Sequence, residues 1–446
     1  MIATLGTRPP SFAALRAREF ARLDAGGHTY LDYTGSALYP ASLIEAERTR
    51  LLGGVYGNPH SDSPASRAST ERVESARLRL LRFLDADPAE WCVVFTANAS
   101  GAMRLVGSAF PWTRESSFVL SADAHNSVNG MREFARAAGA SMRYVGLDEA
   151  LRPLDPTAAL RAGGRGAPAL FSHPAQSNFS GVQHPSAHAR AARSLGYHVL
   201  VDAASYAPTH PISIDELSAD FVALSFYKMF GYPTGVGALV ARHDALALLR
   251  PSWFAGGTVE FASVQNELHR LREGPEAFEE GTPAFLSIAA VEVGLDFLDQ
   301  VGMKRVAAHV TALTTYALEQ LARLDRVVVY GPRDCVGRGG TIAFNLLDGS
   351  GSVVPYEQIE AEARAAGISI RGGCFCNPGA SEHAFGTPAD AARACLLAPG
   401  AFSHARLRAC LGDRAVGALR LSLGLPSNRA DVDRLIDFLA AAIRRS

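Results

Sequence analysis

Lys228 and Lys304 are the only lysines in a chain with 43 basic residues. Arginine serves wherever charge alone is wanted, but it cannot form an imine or act as a base near neutral pH. A lysine that persists in such a chain is therefore a candidate for amine chemistry. Lys304 stands in VGMKRVAAHV, a surface-helix pattern. Lys228 stands in FVALSFYKMFGYPTGVGALV, between aromatic residues, after an apolar run and before a glycine turn. That setting suits a desolvated amine able to hold a carbonyl group.

Other apolar runs also end in polar residues of complementary chemistry. In VVFTANASGAMRLV the turn Ala97–Ser100, with Ala99 and Ser100 at the start of a helical run, offers N–H groups and a hydroxyl to a phosphate. YHVLVDA ends in Asp202, a carboxylate suited to a protonated ring nitrogen. Ser225 and Tyr227 precede Lys228, and HPAQSNFSG and DAHNSVNGM place Asn178 and His125 after two further runs. The Asn178 amide could donate to a phenolate oxygen, and the His125 ring could stack on an aromatic cofactor. Each of these residues, taken alone, also reads as an ordinary cap or loop hydrogen-bonding group.

These residues need a frame that gathers them. The apolar runs Trp91–Thr96, Ser117–Leu120, Ala169–Ser172, His198–Asp202, Phe221–Ser225 and Gly237–Val240 read as strands. Ala-, Leu- and Arg-rich stretches at Ala68–Leu84, Val128–Ala138 and Pro185–Leu195 read as helices between them. Such alternation predicts an α/β fold with a mostly parallel sheet covered on both faces, with ligands outside the carboxyl ends of its strands. A long helical stretch, Phe285–Leu324, leads to a smaller α+β region containing Thr341–Leu347, a helix at Tyr356–Ala366, Ser369–Ile370, Ala418–Leu423 and a closing helix at Arg429–Ile443. The expected division is an N-terminal segment 1–30 packing on the small domain, a large domain 31–300 and a small C-terminal domain 301–446.

At 446 residues, 48% hydrophobic and a formal net charge of -1, the chain has the balance of a globular protein, with no sign of a nucleic-acid or anionic-membrane partner. MIATLGTRPP lacks the basic and apolar stretches of a secretion signal, and no apolar run is long enough to span a bilayer. A cytoplasmic location is expected. Six cysteines are too sparse for a disulfide framework, so free thiols are expected.

The order of motifs resembles that of the class V aminotransferase-fold enzymes, and within them the cysteine desulfurase domain of the molybdenum cofactor sulfurases. The resemblance runs from about Tyr30 to Phe438 through YLDYTGSALYP, FTANAS, HNSVNGMRE, PAQSNFSGVQHP, FEEGTPAFLSI and LRLSLG, with FYKMFGYPTG and GCFCNPGA the most specific. It implies the fold type I of pyridoxal 5'-phosphate enzymes, with a sheet of the seven-stranded type, and a homodimer. It implies a cofactor imine on Lys228, Asp202 beneath the pyridine nitrogen, Asn178 near the phenolate and His125 over the ring. Ala99, Ser100, Ser225 and Tyr227 match its phosphate-binding positions, with Gly281 and Thr282 reaching in from the partner subunit. Arg420 matches the arginine that holds a substrate carboxylate. The molybdenum cofactor sulfurases of eukaryotes continue into a further C-terminal domain, whereas this sequence ends at Ser446. The expectation is therefore cysteine desulfuration ahead of delivery to molybdenum.

The same resemblance places Cys376 at the nucleophile that takes sulfur from L-cysteine, leaving alanine and a persulfide for an acceptor the sequence does not identify. Gly372, Gly373, Pro378 and Gly379 suit a mobile loop, and Asn377-Pro378-Gly379 a turn presenting the thiol at its tip. Arg371 could lower the thiol pKa and contact the substrate. Cys374, on the same side of an extended segment, is a possible relay thiol. Two packed loop cysteines are the structural alternative. A C-x-C pair with His383, Cys395 and Cys410 at a distance lacks zinc spacing, so no metal is expected. A carbon–sulfur β-lyase or a transaminase would use Lys228 without Cys376.

Overall fold

The apolar runs line up in one seven-stranded sheet. In chain order its strands are β1 (Trp91–Thr96), β2 (Ser117–Ser121), β3 (Ser141–Val145), β4 (Ala169–Pro174), β5 (His198–Asp202), β6 (Phe221–Ser225) and β7 (Gly237–Arg242). Across the sheet they run β1-β7-β6-β5-β4-β2-β3. Strands β2 to β6 pair in parallel, and β7 is antiparallel to both neighbours. β3 was not anticipated. It is an edge strand, and SMRYV is mixed in polarity because most of it is only partly buried. The computed structural model describes residues 10–163, 166–401, 403–412 and 414–445.

Successive residues of a strand point to opposite faces, and here both faces are covered. Val93, Phe95, Phe171, Val199 and Val222 enter the core on one face. Val94, Phe118, Leu170, Leu200 and Ala223 enter the core on the other. Continuous apolar runs follow directly from this double burial. The covering and connecting helices used below are α1 (Phe12–Glu19), α2 (Pro64–Phe83), α3 (Ala99–Ala109), α4 (Phe226–Phe230), α5 (Phe285–Val301), α6 (Met303–Leu321), α7 (Pro378–Ala384) and α8 (Arg429–Arg445). The stretch read as one helix from Phe285 is α5 and α6, separated at Gly302 with φ +87°. Lys304 is exposed on α6, as expected of a surface lysine. The helix expected over Val128–Ala138 is two short ones, Asn126–Asn129 and Arg132–Ala137.

A second sheet is antiparallel: β8 (Val327–Tyr330), β9 (Thr341–Leu346), β10 (Arg371–Gly373) and β11 (Ala418–Ser422), in the order β8-β9-β11-β10. The strand expected at Ser369–Ile370 is displaced. Ile368–Ser369 pairs in parallel with Thr29–Tyr30, and β10 begins at Arg371. The N-terminal segment is held to the closing helix by charge. Arg16, buried, donates to Asp431 at 2.5 Å and to the Pro426 carbonyl at 2.8 Å. Residues 1–9 lie outside the described residues. The expectation of free thiols fails at one place: helices Ala389–Leu397 and His404–Cys410 are joined by a Cys395–Cys410 disulfide. Two cysteines 15 residues apart meet there because the helix pair folds back on itself. Among the described residues no helix is long and apolar enough to cross a membrane.

One close approach fixes the helix that carries Lys228. A Cβ on Gly294 of α5 would come within 2.3 Å of the Phe230 ring, which is itself buried at the end of α4. Alanine is the better helix former by about 1 kcal/mol, but overpacking a ring that cannot move costs about 1–3 kcal/mol. Gly294→Ala should therefore lower stability in urea, by up to about 2 kcal/mol. Unchanged or raised stability would show that α4 and α5 can separate freely.

Candidate active site

The polar residues at the carboxyl ends of the parallel strands converge, as the sheet topology demands. β6 ends at Ser225, and α4 begins at once with Phe226-Tyr227-Lys228. Ser225 accepts a hydrogen bond from the Ala99 N–H at 3.0 Å, which pins the start of α3 beside β6. Asn98, not Ser100, caps α3, accepting from the Gly101 N–H at 3.0 Å. The Ser100 hydroxyl is thereby left for other work and lies 2.5 Å from Ser127 Oγ. Ser225, Ser100 and Ser127 with the first turn of α3 form a cradle suited to a phosphate.

Lys228 retains some solvent contact, yet no hydrogen bond or ion pair engages its amine among the described residues. Desolvation lowers its pKa, opposed by Asp202 and reinforced by Arg420 and Arg371. Asp202, at the end of β5, is buried and accepts from the Ala204 N–H at 3.0 Å. His125 accepts from the Ser127 N–H at Nδ1, 3.1 Å, which leaves the proton of a neutral ring on Nε2. Desolvation lowers the His125 pKa as well, with Asp202 opposing. Tyr227 lies alongside, its phenol raised in pKa first by burial. An amine whose pKa burial lowers, a buried carboxylate on the neighbouring strand and a phosphate cradle fit the cofactor that the sequence motifs imply.

Asn178 ties the site to the cysteine loop. Its side chain donates to the Phe375 carbonyl at 2.6 Å and accepts from Asn377 at 2.9 Å. Asn377, fully buried, also donates to the Asp123 carbonyl at 2.7 Å and caps α7 through the Ala380 N–H. The Cys376 carbonyl accepts from the Asn126 N–H at 2.7 Å. The loop is thus docked on the His125 and Asn178 segments. Three expectations about it change. Asn377-Pro378 is a helix start, not a free turn. Gly379 is present because a Cβ would meet the Ala122 carbonyl oxygen at 2.1 Å. Phe375 and Cys376 have left-handed φ of +57° and +55°, so the segment is not extended and strand alternation says nothing about Cys374. Cys376 is exposed, whereas Phe375 is buried against Phe179, with ring centroids 5.4 Å apart.

Arg420 is buried and donates to the Asn178 carbonyl at 3.0 Å, and its guanidinium lies 4.7 Å from the centre of the Phe375 ring. Arg371 is committed to Asp32, through Nε at 3.0 Å and Nη2 at 2.6 Å. Gly281, with φ +82°, precedes Thr282 in the segment leading to α5. Thr282 accepts from Asn58 at 3.3 Å and, with Ala97 and Gly101, borders a cavity of about 330 Å³.

Asp32, Asp123, Ser127, His184 and Asn377 went unread as site residues. Ser127 had a local signal, two residues after His125. The others are recognisable only by remote partners. Asp123 is buried, accepting from Ser121 at 2.6 Å and lying 3.0 Å from His184 Nε2. Burial acts to raise its pKa, but His184 and Ser121 overcome this and hold it below the usual range. His173 stacks on His184, and burial pushes its pKa down to about 3.

A family model described as aminotransferase class-V matches residues 29–435. The chain is 34% identical to a molybdenum cofactor sulfurase of Arabidopsis thaliana over 97% of its own length and 58% of that protein's. It is 35% identical to the molybdenum cofactor sulfurase of Bos taurus, over 96% of its own length and 51% of the relative's. The chain thus spans a little over half the length of these relatives. Among solved structures, an apo cysteine desulfurase from Thermococcus onnurineus NA1 superposes with a TM-score of 0.81 at 24% identity, covering 99% of this chain and 100% of that one. The cysteine desulfurase CsdA of Escherichia coli does so with a TM-score of 0.78 at 22% identity, covering 98% and 99%. These likenesses establish the fold.

Two measurements check this geometry. A buried histidine held neutral gives stability that is present above its unfolded pKa of about 6.5 and lost as pH falls toward the folded value. Unfolding free energy should therefore drop between pH 7 and 5, and His173→Asn should reduce that drop by roughly 1–2 kcal/mol. An unchanged drop would mean that His173 is not held neutral. Separately, Asn377→Ala should speed iodoacetamide labelling of Cys376 in cofactor-free protein several-fold, read by peptide mass. Equal rates would mean that Asn377 does not hold the loop.

Proposed function

The chain belongs to the class-V aminotransferase family, and from that premise we propose that it is a pyridoxal-phosphate-dependent cysteine desulfurase acting on L-cysteine as a homodimer in the cytoplasm. The observation that carries the proposal is the seating of Cys376 beside the His125 segment by the 2.7 Å Asn126–Cys376 hydrogen bond, at the same strand ends that present Lys228. Residues 31–300 would form the cofactor domain, and 301–446 the domain that brings the cysteine loop.

Bound pyridoxal phosphate would supply an aldehyde that captures an amine and a ring that stores electrons released at the substrate α-carbon. Ser100, Ser127, Ser225 and the first turn of α3, with Ala99 and Tyr227 alongside, would hold its phosphate. Gly281 and Thr282 of a second copy would complete that cradle. Asp202 would pair with the ring nitrogen, and His125 and Asn178 would flank the ring and its phenolate.

Lys228 is the amine that would hold the cofactor's aldehyde. Its desolvation keeps the amine available for bonding and for moving the α-proton once it is free. Arg420 would bind the substrate carboxylate as a charge-assisted pair and so orient the substrate. The Cys376 thiolate then attacks the substrate sulfur. A sulfur–sulfur bond forms and the carbon–sulfur bond breaks, its electron pair going to the β-carbon, which takes up a proton to give alanine and leaves a persulfide on Cys376 for a sulfur acceptor. The likeness to molybdenum cofactor sulfurases makes that cofactor a candidate acceptor.

Incubation with L-cysteine should yield alanine and one added sulfur on Cys376, located by mass spectrometry. Cys376→Ser should keep the visible cofactor absorbance, which Lys228→Ala loses, but release alanine at least ~100-fold more slowly, because a hydroxyl is nearly inert toward sulfur. Full alanine release by Cys376→Ser would sink the proposal. Pyruvate with sulfide would indicate a β-lyase, and an aminated cofactor a transaminase.

A further inference from the structure

The register of the second sheet sets two arginines directly opposite one another. Arg371 of β10 pairs with Arg420 of β11. Like charges in facing positions of an antiparallel pair repel, the more so when one of them is out of water. Asp32 answers both. Its carboxylate accepts from Arg371 through Nε at 3.0 Å and Nη2 at 2.6 Å, and from Arg420 Nη2 at 2.9 Å.

The placement of Asp32 is not a side-chain accident. The segment after Tyr30 is zipped along β11. Ser422 N–H donates to the Leu31 carbonyl at 2.7 Å, and the Thr34 N–H donates to Ser422 Oγ at 2.9 Å. A Cβ on Gly35 would lie 2.5 Å from both Arg371 Nη2 and an Asp32 carboxylate oxygen, so the backbone leaves just enough room for the pair.

Arg420 is not satisfied by these contacts. Nη1 is taken by the Asn178 carbonyl and Nη2 by Asp32, while Nε is buried without a partner among the described residues. A buried guanidinium N–H without an acceptor is costly, and a ligand carboxylate would supply one. Two bare guanidiniums at this place would match an amino acid with two carboxylates. With one cancelled, the pair carries a single positive charge.

We propose that Asp32 is a specificity-determining residue: by neutralising one of the two facing arginines, it sets the site to accept amino acids with a single carboxylate and to turn away dicarboxylic ones. The inference rests on the reading of the site as one that binds an amino acid at Arg420. Asp32 acts through the two arginines and is a positioning residue, outside the bond-making steps.

The test compares L-alanine with L-aspartate, which differ by one carboxylate. Binding to the holoprotein is read from the cofactor's absorbance change on titration, with no turnover required. Wild type should prefer L-alanine. Asp32→Asn should move the alanine-to-aspartate affinity ratio toward aspartate by about tenfold or more. Asp32→Glu keeps the charge and should keep the wild-type ratio even where both affinities fall. Arg371→Met, at a half-exposed position, guards against a misfolded Asp32→Asn. It leaves Arg420 balanced by Asp32 and should weaken L-alanine binding about tenfold. A ratio in Asp32→Asn within about threefold of wild type would overturn the inference, as would Asp32→Glu matching Asp32→Asn or full L-alanine affinity in Arg371→Met. If wild type makes a persulfide from L-cysteine while these ratios stay put, the inference alone fails. If wild type binds no amino acid at all, the functional reading fails and takes the inference with it.

Discussion

Burial and the lack of a tightly bound anion push an amine's pKa down, toward the uncharged form that bonds to a carbonyl. Most of the architecture around Lys228 follows from that constraint. The lysine stands where a buried parallel strand gives way to a short helix wedged by Phe226 and Phe230, with Gly294 letting α5 close behind it. Asp202 is near enough to oppose the fall in pKa, yet its carboxylate is held by the Ala204 N–H. The cationic neighbours, Arg420 and Arg371, act in the same direction as burial. The result is one site in which an amine, a carboxylate and two guanidiniums are held by a rigid sheet end.

The cysteine loop shows the opposite strategy. Two consecutive non-glycine residues in the left-handed region cost roughly 1–2 kcal/mol each. That conformation persists because Asn178, Asn377 and Asn126 hold three points of the loop, and the buried Phe375 ring anchors it against Phe179 and Arg420. The strain turns Phe375 inward and leaves Cys376 outward. Asn178, which we propose to stand beside the cofactor, is also the residue that grips the loop, so that reading makes nucleophile placement and cofactor placement share a single side chain.

Local chemistry was legible without coordinates. The scarcity of lysine singled out Lys228, and the apolar runs announced a buried parallel sheet, because strands covered on both faces have no polar side to show. The endings of those runs, at Ser225, Asp202, Asn178 and His125, could be placed together once the topology was assumed, since parallel strands share a carboxyl end. Edge strand β3 was missed for the converse reason: half in water, its composition carries no such signature. The left-handed pair at Phe375–Cys376 overturned an alternation that holds only for extended chain.

What the sequence determined by itself was residue type and local order: which group is an amine, which a thiol, and which run ends in a carboxylate. What only the tertiary structure decided was partnership across distance. Asp32 lies 339 residues from Arg371 and 388 from Arg420, and Asn377 lies 254 residues from Asp123. No local periodicity encodes such pairs. The Asp32 pairs exist because β10 and β11 set two guanidiniums face to face, and the burial of Arg420 then requires an anion from whichever segment the fold brings alongside.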